Sequence, residues 1–276
     1  MKRRTRKAIT AIICVVVFLS LCAFYFGIGF QTVSAERSLA GLFNTEIYFT
    51  AHRGLSAVAP ENTAPAIEEA GKAGFYAAEF DIMPTKDGVW IVNHDDTVDK
   101  MTDGEGEVCS FTYDEIVQLT IDNGNGVENY PDLHFTTFEN ALAICEEYGM
   151  RAMVEVKGGT PEDMQSMLDV LKASPAYENA LVIDFNEDRI AKVRELDKEI
   201  ELWYLINHIT EEDIAFAEEN NMGLAFNFGF ADNYKMLKTA RQKGITLASW
   251  TVDFPPVVDW LRLFGVKYIT TNKILP

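Results

Sequence analysis

No acidic residue precedes Glu36, and the chain has no internal repeat, no low-complexity tract and no Pro/Ser-rich hinge. Collagen-like architecture is thereby excluded, and with 48% hydrophobic and 24% charged residues so is wholesale disorder. Cysteine is scarce. Of the four, Cys14 and Cys22 lie within an apolar run, leaving Cys109 and Cys145, whose spacing does not establish a disulfide and whose domain is large enough not to need one. No His/Cys cluster has zinc spacing, which argues against zinc. Asp103-Gly104-Glu105-Gly106 lacks the spacing of a calcium loop and reads as a turn. Basic residues are also few, 24 Lys+Arg against 42 Asp+Glu for a net charge of −18. Five of them (Lys2, Arg3, Arg4, Arg6, Lys7) precede the first acid, so residues 36–276 hold 19 against 42, a net −23. A surface that acidic repels phosphate backbones and argues against nucleic acid as a partner.

What the N-terminus does have is a 23-residue stretch without a charge, Ala8–Phe30, directly behind the basic cluster. As a helix it would span about 34 Å, enough for a hydrocarbon core of ~30 Å. The positive flank stays in the cytoplasm, which sends the following residues to the outer face. Residues 1–35 therefore read as a basic tail plus transmembrane signal-anchor, and residues 36–276 as an exported domain at the cell membrane. Val33-Ser34-Ala35 resembles a cleavage site and supplies the alternative, secretion after cleavage near Ala35. Against it, a signal-peptide apolar core is usually only ~7–15 residues long.

About 240 residues remain, close to the length of a (β/α)8 barrel. Apolar, β-rich runs appear at Ile47–Ala51, Ala77–Ile82, Arg151–Val156, Ala180–Asp184, Glu201–Ile206, Leu224–Asn227, Ile245–Trp250 and Lys267–Thr270. Helix-start signals lie between most of them, at Thr63, at Thr136 with Glu139, at Thr160-Pro161 with Asp163 and at Thr210 with Asp213. Eight strands alternating with helices predict a parallel α/β TIM barrel. A further run, Val89–Asn93, follows the second strand too closely for a parallel crossover. It predicts a β-hairpin excursion turning at Asp87-Gly88, with a two-residue turn placing His94 opposite Asp81 to within a residue or two.

Four clusters at predicted strand ends hold the unusual chemistry: His52-Arg53-Gly54 followed by Pro60-Glu61-Asn62-Thr63, then Glu79-Phe80-Asp81, His94-Asp95, and Glu155-Val156-Lys157. In a barrel that end is the mouth where active sites are built. Glu79 and Asp81 are two apart and share one side of a strand, as do Glu155 and Lys157. Three inward carboxylates cannot stay ionised uncompensated, and oxygen-only ligands suit Mg²⁺ or Ca²⁺. Two histidines, His52 and His94, would flank that cation as a general acid/base pair. With Arg53 and Lys157 the set describes a site for phosphoryl transfer. Glu61 is either a support to this group or part of a helix cap. Trp250 belongs to the pocket wall and is a candidate substrate contact, whereas His134 and His208 read as structural.

In combination and order, these residues resemble the glycerophosphodiester phosphodiesterases, a family of phospholipase-C-like TIM barrels. The similarity is carried by Ala51-His52-Arg53-Gly54, Pro60-Glu61-Asn62-Thr63, Glu79-Phe80-Asp81 leading into Thr85-Lys86-Asp87-Gly88, His94-Asp95 with Thr102, Glu155-Val156-Lys157 and Ser249-Trp250-Thr251-Val252. The resemblance implies Glu79, Asp81 and Glu155 as metal ligands, His52 and His94 as acid and base, and Arg53 and Lys157 as the cations that hold phosphate. It implies Ca²⁺- or Mg²⁺-dependent hydrolysis of deacylated phospholipids to sn-glycerol 3-phosphate and an alcohol. One departure stands out. Where the family often ends its last strand with Ile-Thr-Asp, this chain reads Ile269-Thr270-Thr271-Asn272, a change expected to touch the pocket floor. Two other classes stay open, a surface-anchored binding protein for phosphate-containing envelope polymers and a barrel glycosidase that would leave both histidines idle.

Overall fold

Residues with strong β preference, buried on both faces, account for the barrel staves. The computed structural model describes Val33–Ser34, residues 46–230 and residues 234–276. The expected span Ala8–Phe30 and the cleavage alternative near Ala35 lie outside the described residues. Among the described residues no helix is long and apolar enough to cross a membrane.

The strands are β1 (Val33–Ser34), β2 (Tyr48–Ala51), β3 (Ala77–Pro84), β4 (Trp90–Val92), β5 (Arg151–Val156), β6 (Leu181–Asp184), β7 (Glu201–Ile206), β8 (Gly223–Asn227), β9 (Leu247–Trp250), β10 (Tyr268–Thr271) and β11 (Ile274–Leu275). Going round, β2 pairs with β3, β3 with β5, and so on in chain order to β10, which returns to β2. All of these pairings are parallel, so eight strands close and leave no barrel edge. The β3–β5 register sets Asp81 directly beside Glu155. Beyond the barrel, β1 pairs in parallel with β11.

Period-two alternation sorts the side chains. Phe80 and Ile82 point outward into the main core under the helices, where Phe80 meets Phe138 at 6.3 Å between ring centroids. Their neighbours Glu79 and Asp81 point into the barrel. Deeper in the interior, Met153, Leu181, Ile183, Trp203, Leu205, Ala225 and Ala248 form a separate apolar layer. Crossover helices start on side-chain caps. Thr63 accepts from the Ala66 amide to begin Ala64–Lys72, and Thr210 with Asp213 forms a capping box for Glu211–Glu219. Thr160 with Asp163 does the same ahead of Met164–Ala173.

Two local expectations need correction. The cap of the helix Phe138–Glu147 is Thr137, which accepts from the Asn140 amide. Thr136 is buried, and its hydroxyl accepts instead from the Ala64 amide. The β3–β4 hairpin is antiparallel as expected, but Ile82 faces Val92 and Thr85 bonds back to Val89. Its turn is therefore three residues, Lys86-Asp87-Gly88, with Gly88 in the left-handed region at φ 83°. This single-residue slip puts Asn93 opposite Asp81, through an Asn93 N–H to Asp81 carbonyl bond of 3.0 Å, and His94 one position beyond. The long connection after β4 was not foreseen as a folded unit. It closes over its own small core of Met83, Ile91, Val98, Val108, Ile116 and Phe135. Cys109 and Cys145 are both free, one exposed and one buried.

Candidate active site

Behind β2 the chain turns through two left-handed residues, Arg53 at φ 56° and Gly54 at φ 72°. Glycine is required at the second because a Cβ there would lie 2.5 Å from the Ala66 carbonyl carbon. The turn aims the Arg53 amide at Glu79 Oε2, 2.7 Å away, while the Gly54 amide bonds the Glu79 carbonyl. Asn62, also left-handed at φ 58°, donates from its own amide to the Arg53 carbonyl. Its side chain is buried and locks onto Asp81 twice, giving Nδ2–H to Oδ2 at 2.7 Å and accepting the Asp81 amide at 3.1 Å. Asn62 thus belongs to the site, and Thr63 is the helix cap.

These contacts gather Glu79, Asp81 and Glu155, all buried, with one oxygen of each within 4.8 Å of the others. Burial, followed by the charge of Asp81, holds the Glu79 carboxyl well above the usual range. The same causes push Glu155 up to about 8, against the pull of Lys157. Glu79 Oε1 is buried without a hydrogen-bond partner. An orphaned oxygen between two more carboxylates fits the donor set of a hard divalent cation, so the triad can hold a metal.

The cations stand at either side. Arg53 Nη1 pairs with Glu61 at 2.9 Å and its Nε approaches Asp81 at 3.6 Å. Lys157 pairs with Glu155 and reaches Asp81 Oδ1 at 3.6 Å, its ammonium 5.6 Å from the centre of the Phe185 ring. The Glu155–Lys157 pair is thus partly neutralised within the cluster. Glu61 supports Arg53 and is itself bound by Lys100 at 2.7 Å.

Each histidine has a different partner on Nδ1: Asn272 Oδ1 at 2.7 Å for His52, Asp95 Oδ1 at 2.6 Å for His94. Burial, with Arg53 adding to it, pushes His52 below its ordinary value, and the Asn272 bond opposes this. Asp95 is held down by His94, Lys100 and Arg53 although its partial burial works the other way. The contact of Asn272 with His52 shows that the departure at Thr271-Asn272 bears on a site histidine. His134 is structural, its ring nitrogen 2.8 Å from the Leu119 carbonyl.

His52, Arg53, Glu79, His94, Glu155 and Lys157 form one wall of a cavity of about 290 Å³. The other wall is apolar, with Ile183, Phe185, Trp203, Leu205 and Trp250. Trp250 is steadied by a bond from its indole N–H to the Ala225 carbonyl and by edge-on contact with Phe185. Of the predicted site residues, His52, Arg53, Glu79, His94, Glu155, Lys157 and Trp250 line this cavity, and Glu61 and Asp81 lie against Arg53. Sequence reasoning left Asn62 undecided and overlooked Lys100, Asp253 and Phe185. Only Asn62 carried a local signal, its place beside Glu61.

Residues 52–275 match the sequence profile of the glycerophosphoryl diester phosphodiesterase family. Glycerophosphodiester phosphodiesterase 1 of Homo sapiens is 35% identical over 174 residues, 62% of this chain and 53% of that protein. The chain spans about half the length of such mammalian relatives. A glycerophosphodiester phosphodiesterase of Caldanaerobacter subterraneus is 27% identical over 225 residues, 80% of this chain and 92% of its own. The barrel also superposes on a phosphodiesterase of Oleispira antarctica solved with sn-glycerol-3-phosphate, with a TM-score of 0.78 at 24% identity over 87% of this chain and 96% of that one. That last likeness is one of fold.

Proposed function

The chain belongs to the glycerophosphoryl diester phosphodiesterase family, and from that premise we propose that it hydrolyses glycerophosphodiesters to sn-glycerol 3-phosphate and an alcohol. The observation that carries this reading is the buried carboxylate triad, two of whose members, Glu79 and Glu155, line one cavity with two histidines, an arginine and a lysine. Glu79, Asp81 and Glu155 would hold a divalent cation, Ca²⁺ or Mg²⁺ by their all-oxygen chemistry, whose charge offsets that developing on the phosphoryl oxygens. Arg53 and Lys157 bind the non-bridging oxygens and fix the phosphate between the two imidazoles. One histidine removes a proton from the attacking hydroxyl, of water or of the substrate itself, as the new P–O bond forms. The other protonates the departing alkoxide as the old bond breaks. The apolar wall with Phe185 and Trp250 keeps bulk water from the reacting atoms and receives the organic part of the diester.

The test is release of glycerol 3-phosphate from glycerophosphocholine and related diesters by the full chain, with and without a chelator. Turnover that EDTA abolishes and Ca²⁺ or Mg²⁺ restores is expected. Chelator-insensitive release, or ligand binding without turnover in either metal, would count against the reading.

For location, the proposal is a single-pass protein of the cell membrane with residues 36–276 on the extracytoplasmic side. Its support is the charge-free run Ala8–Phe30 behind five basic residues. Protease added to intact cells is expected to degrade the domain while a membrane-bound stub survives. A protein recovered soluble in the medium, beginning near residue 36, would favour cleavage instead.

A further inference from the structure

The loops after β9 and β10 meet at Asp253 and Asn272. The Asp253 carboxylate accepts the Thr271 hydroxyl at 2.9 Å and the Asn272 amide at 2.8 Å on Oδ1, and the Asn272 side-chain Nδ2 at 2.6 Å on Oδ2. An ionised carboxylate only accepts, so the NH₂ of Asn272 has to face it and the amide oxygen has to face away. That oxygen lies 2.7 Å from His52 Nδ1 and 3.2 Å from the Ser56 hydroxyl. A carboxamide oxygen cannot donate, so the shared proton sits on His52 Nδ1. The remaining lone pair is then on Nε2, and His52 lines the cavity. The backbone adds a pin, from the His52 amide to the Thr271 carbonyl at 2.9 Å.

We propose that Asn272, clamped by Asp253, is a positioning residue that holds His52 as its Nδ1–H tautomer and thereby makes His52 the proton acceptor of the pair. A free neutral imidazole favours the opposite tautomer, with its proton on Nε2, so the clamp works against an intrinsic preference. His94 differs in being backed by a carboxylate, Asp95. The inference rests on the phosphodiesterase reading and divides its two proton transfers. As the attacking oxygen bonds to phosphorus, its proton passes to the His52 Nε2 lone pair. As the opposite P–O bond breaks, its electron pair stays on the departing oxygen, which takes a proton from His94.

The experiment combines ¹⁵N NMR of the imidazole rings with steady-state kinetics on the full chain. In the native protein His52 is expected to show a protonated Nδ1 and an unprotonated Nε2. In Asp253→Asn the residue at 253 both donates and accepts, so the Asn272 amide is free to turn over. The His52 signal should then become a mixture of tautomers, and kcat should fall at least about tenfold with KM little changed. The exchange Asp253→Asn/Asn272→Asp keeps every hydrogen bond with donor and acceptor roles preserved at His52. It should restore the single tautomer and most of the lost kcat, and it carries the test if Asp253→Asn alone fails to fold. A native His52 protonated on Nε2, or an Asp253→Asn variant identical to native in both tautomer and kcat, overturns the proposal. The NMR readout needs no turnover, so absence of diesterase activity with His52 still held as the Nδ1–H tautomer would sink the functional reading and the proton-acceptor role while leaving the positioning by Asn272 standing.

Discussion

Glu79→Gln is expected to remove measurable divalent-cation binding and to lower kcat/KM for a glycerophosphodiester by about 1000-fold, some 4 kcal/mol of transition-state stabilisation. The same change should make the cation-free protein more stable. Glu79 and Glu155 both have folded-state values raised above the ordinary carboxylate range, Glu155 to about 8. Folding therefore takes up protons above the ordinary carboxylate value, and the stability these groups contribute falls as pH rises from there through about 8. Glutamine takes out one of the charges that oppose each other in the triad. Its carbonyl can still accept the Arg53 amide, and its NH₂ can donate to the neighbouring carboxylates. We expect the metal-free variant to gain on the order of 1–3 kcal/mol at pH 8 and little at pH 5. Calorimetric unfolding at the two pH values, with and without Ca²⁺, reads both effects. A variant that still binds Ca²⁺, or that is less stable than native without it, would show that the triad is structural.

The second large effect concerns the histidines. His52→Ala and His94→Ala should each lower kcat by roughly 100- to 10,000-fold on a natural diester. A diester of glycerol 3-phosphate with p-nitrophenol separates their roles, since p-nitrophenolate departs without needing a proton. On that substrate His94→Ala should recover most of its loss and His52→Ala should not. Equal recovery by both variants, or recovery by His52→Ala alone, would refute the division of labour. Because both groups act in one transition state, the double variant should lose less than the product of the two single losses.

The barrel was legible because its physical cause is local. Alternation at period two placed Glu79 and Asp81 on one face and Phe80 and Ile82 on the other, and the parallel register then aligned Asp81 with Glu155. The hairpin was half legible. Asp87-Gly88 announced the turn, but whether the loop holds two or three residues depends on the backbone of Lys86 as well, and that choice moved His94 by one position. The supports of the site were opaque. Asn62 meets Asp81 only because the Arg53–Gly54 turn is folded tightly against Ala66, and Asp253 meets Asn272 only because barrel closure brings two loop ends together. Beyond the place of Asn62 beside Glu61, no short-range pattern encodes either encounter. The small core built by Val98, Val108, Ile116 and Phe135 has no sustained periodicity to betray it.

The bond from the Arg53 amide to Glu79 comes from the main chain, which substitutions other than proline do not erase. The side chain of that residue, which pairs with Glu61 and approaches Asp81, can therefore change without loss of this one bond. If Arg53 holds the phosphate as proposed, an exchange of its side chain would alter that hold while the Glu79 carboxylate keeps its bond to the main chain. One position thus gives the lineage a fixed foundation and an adjustable fitting at once.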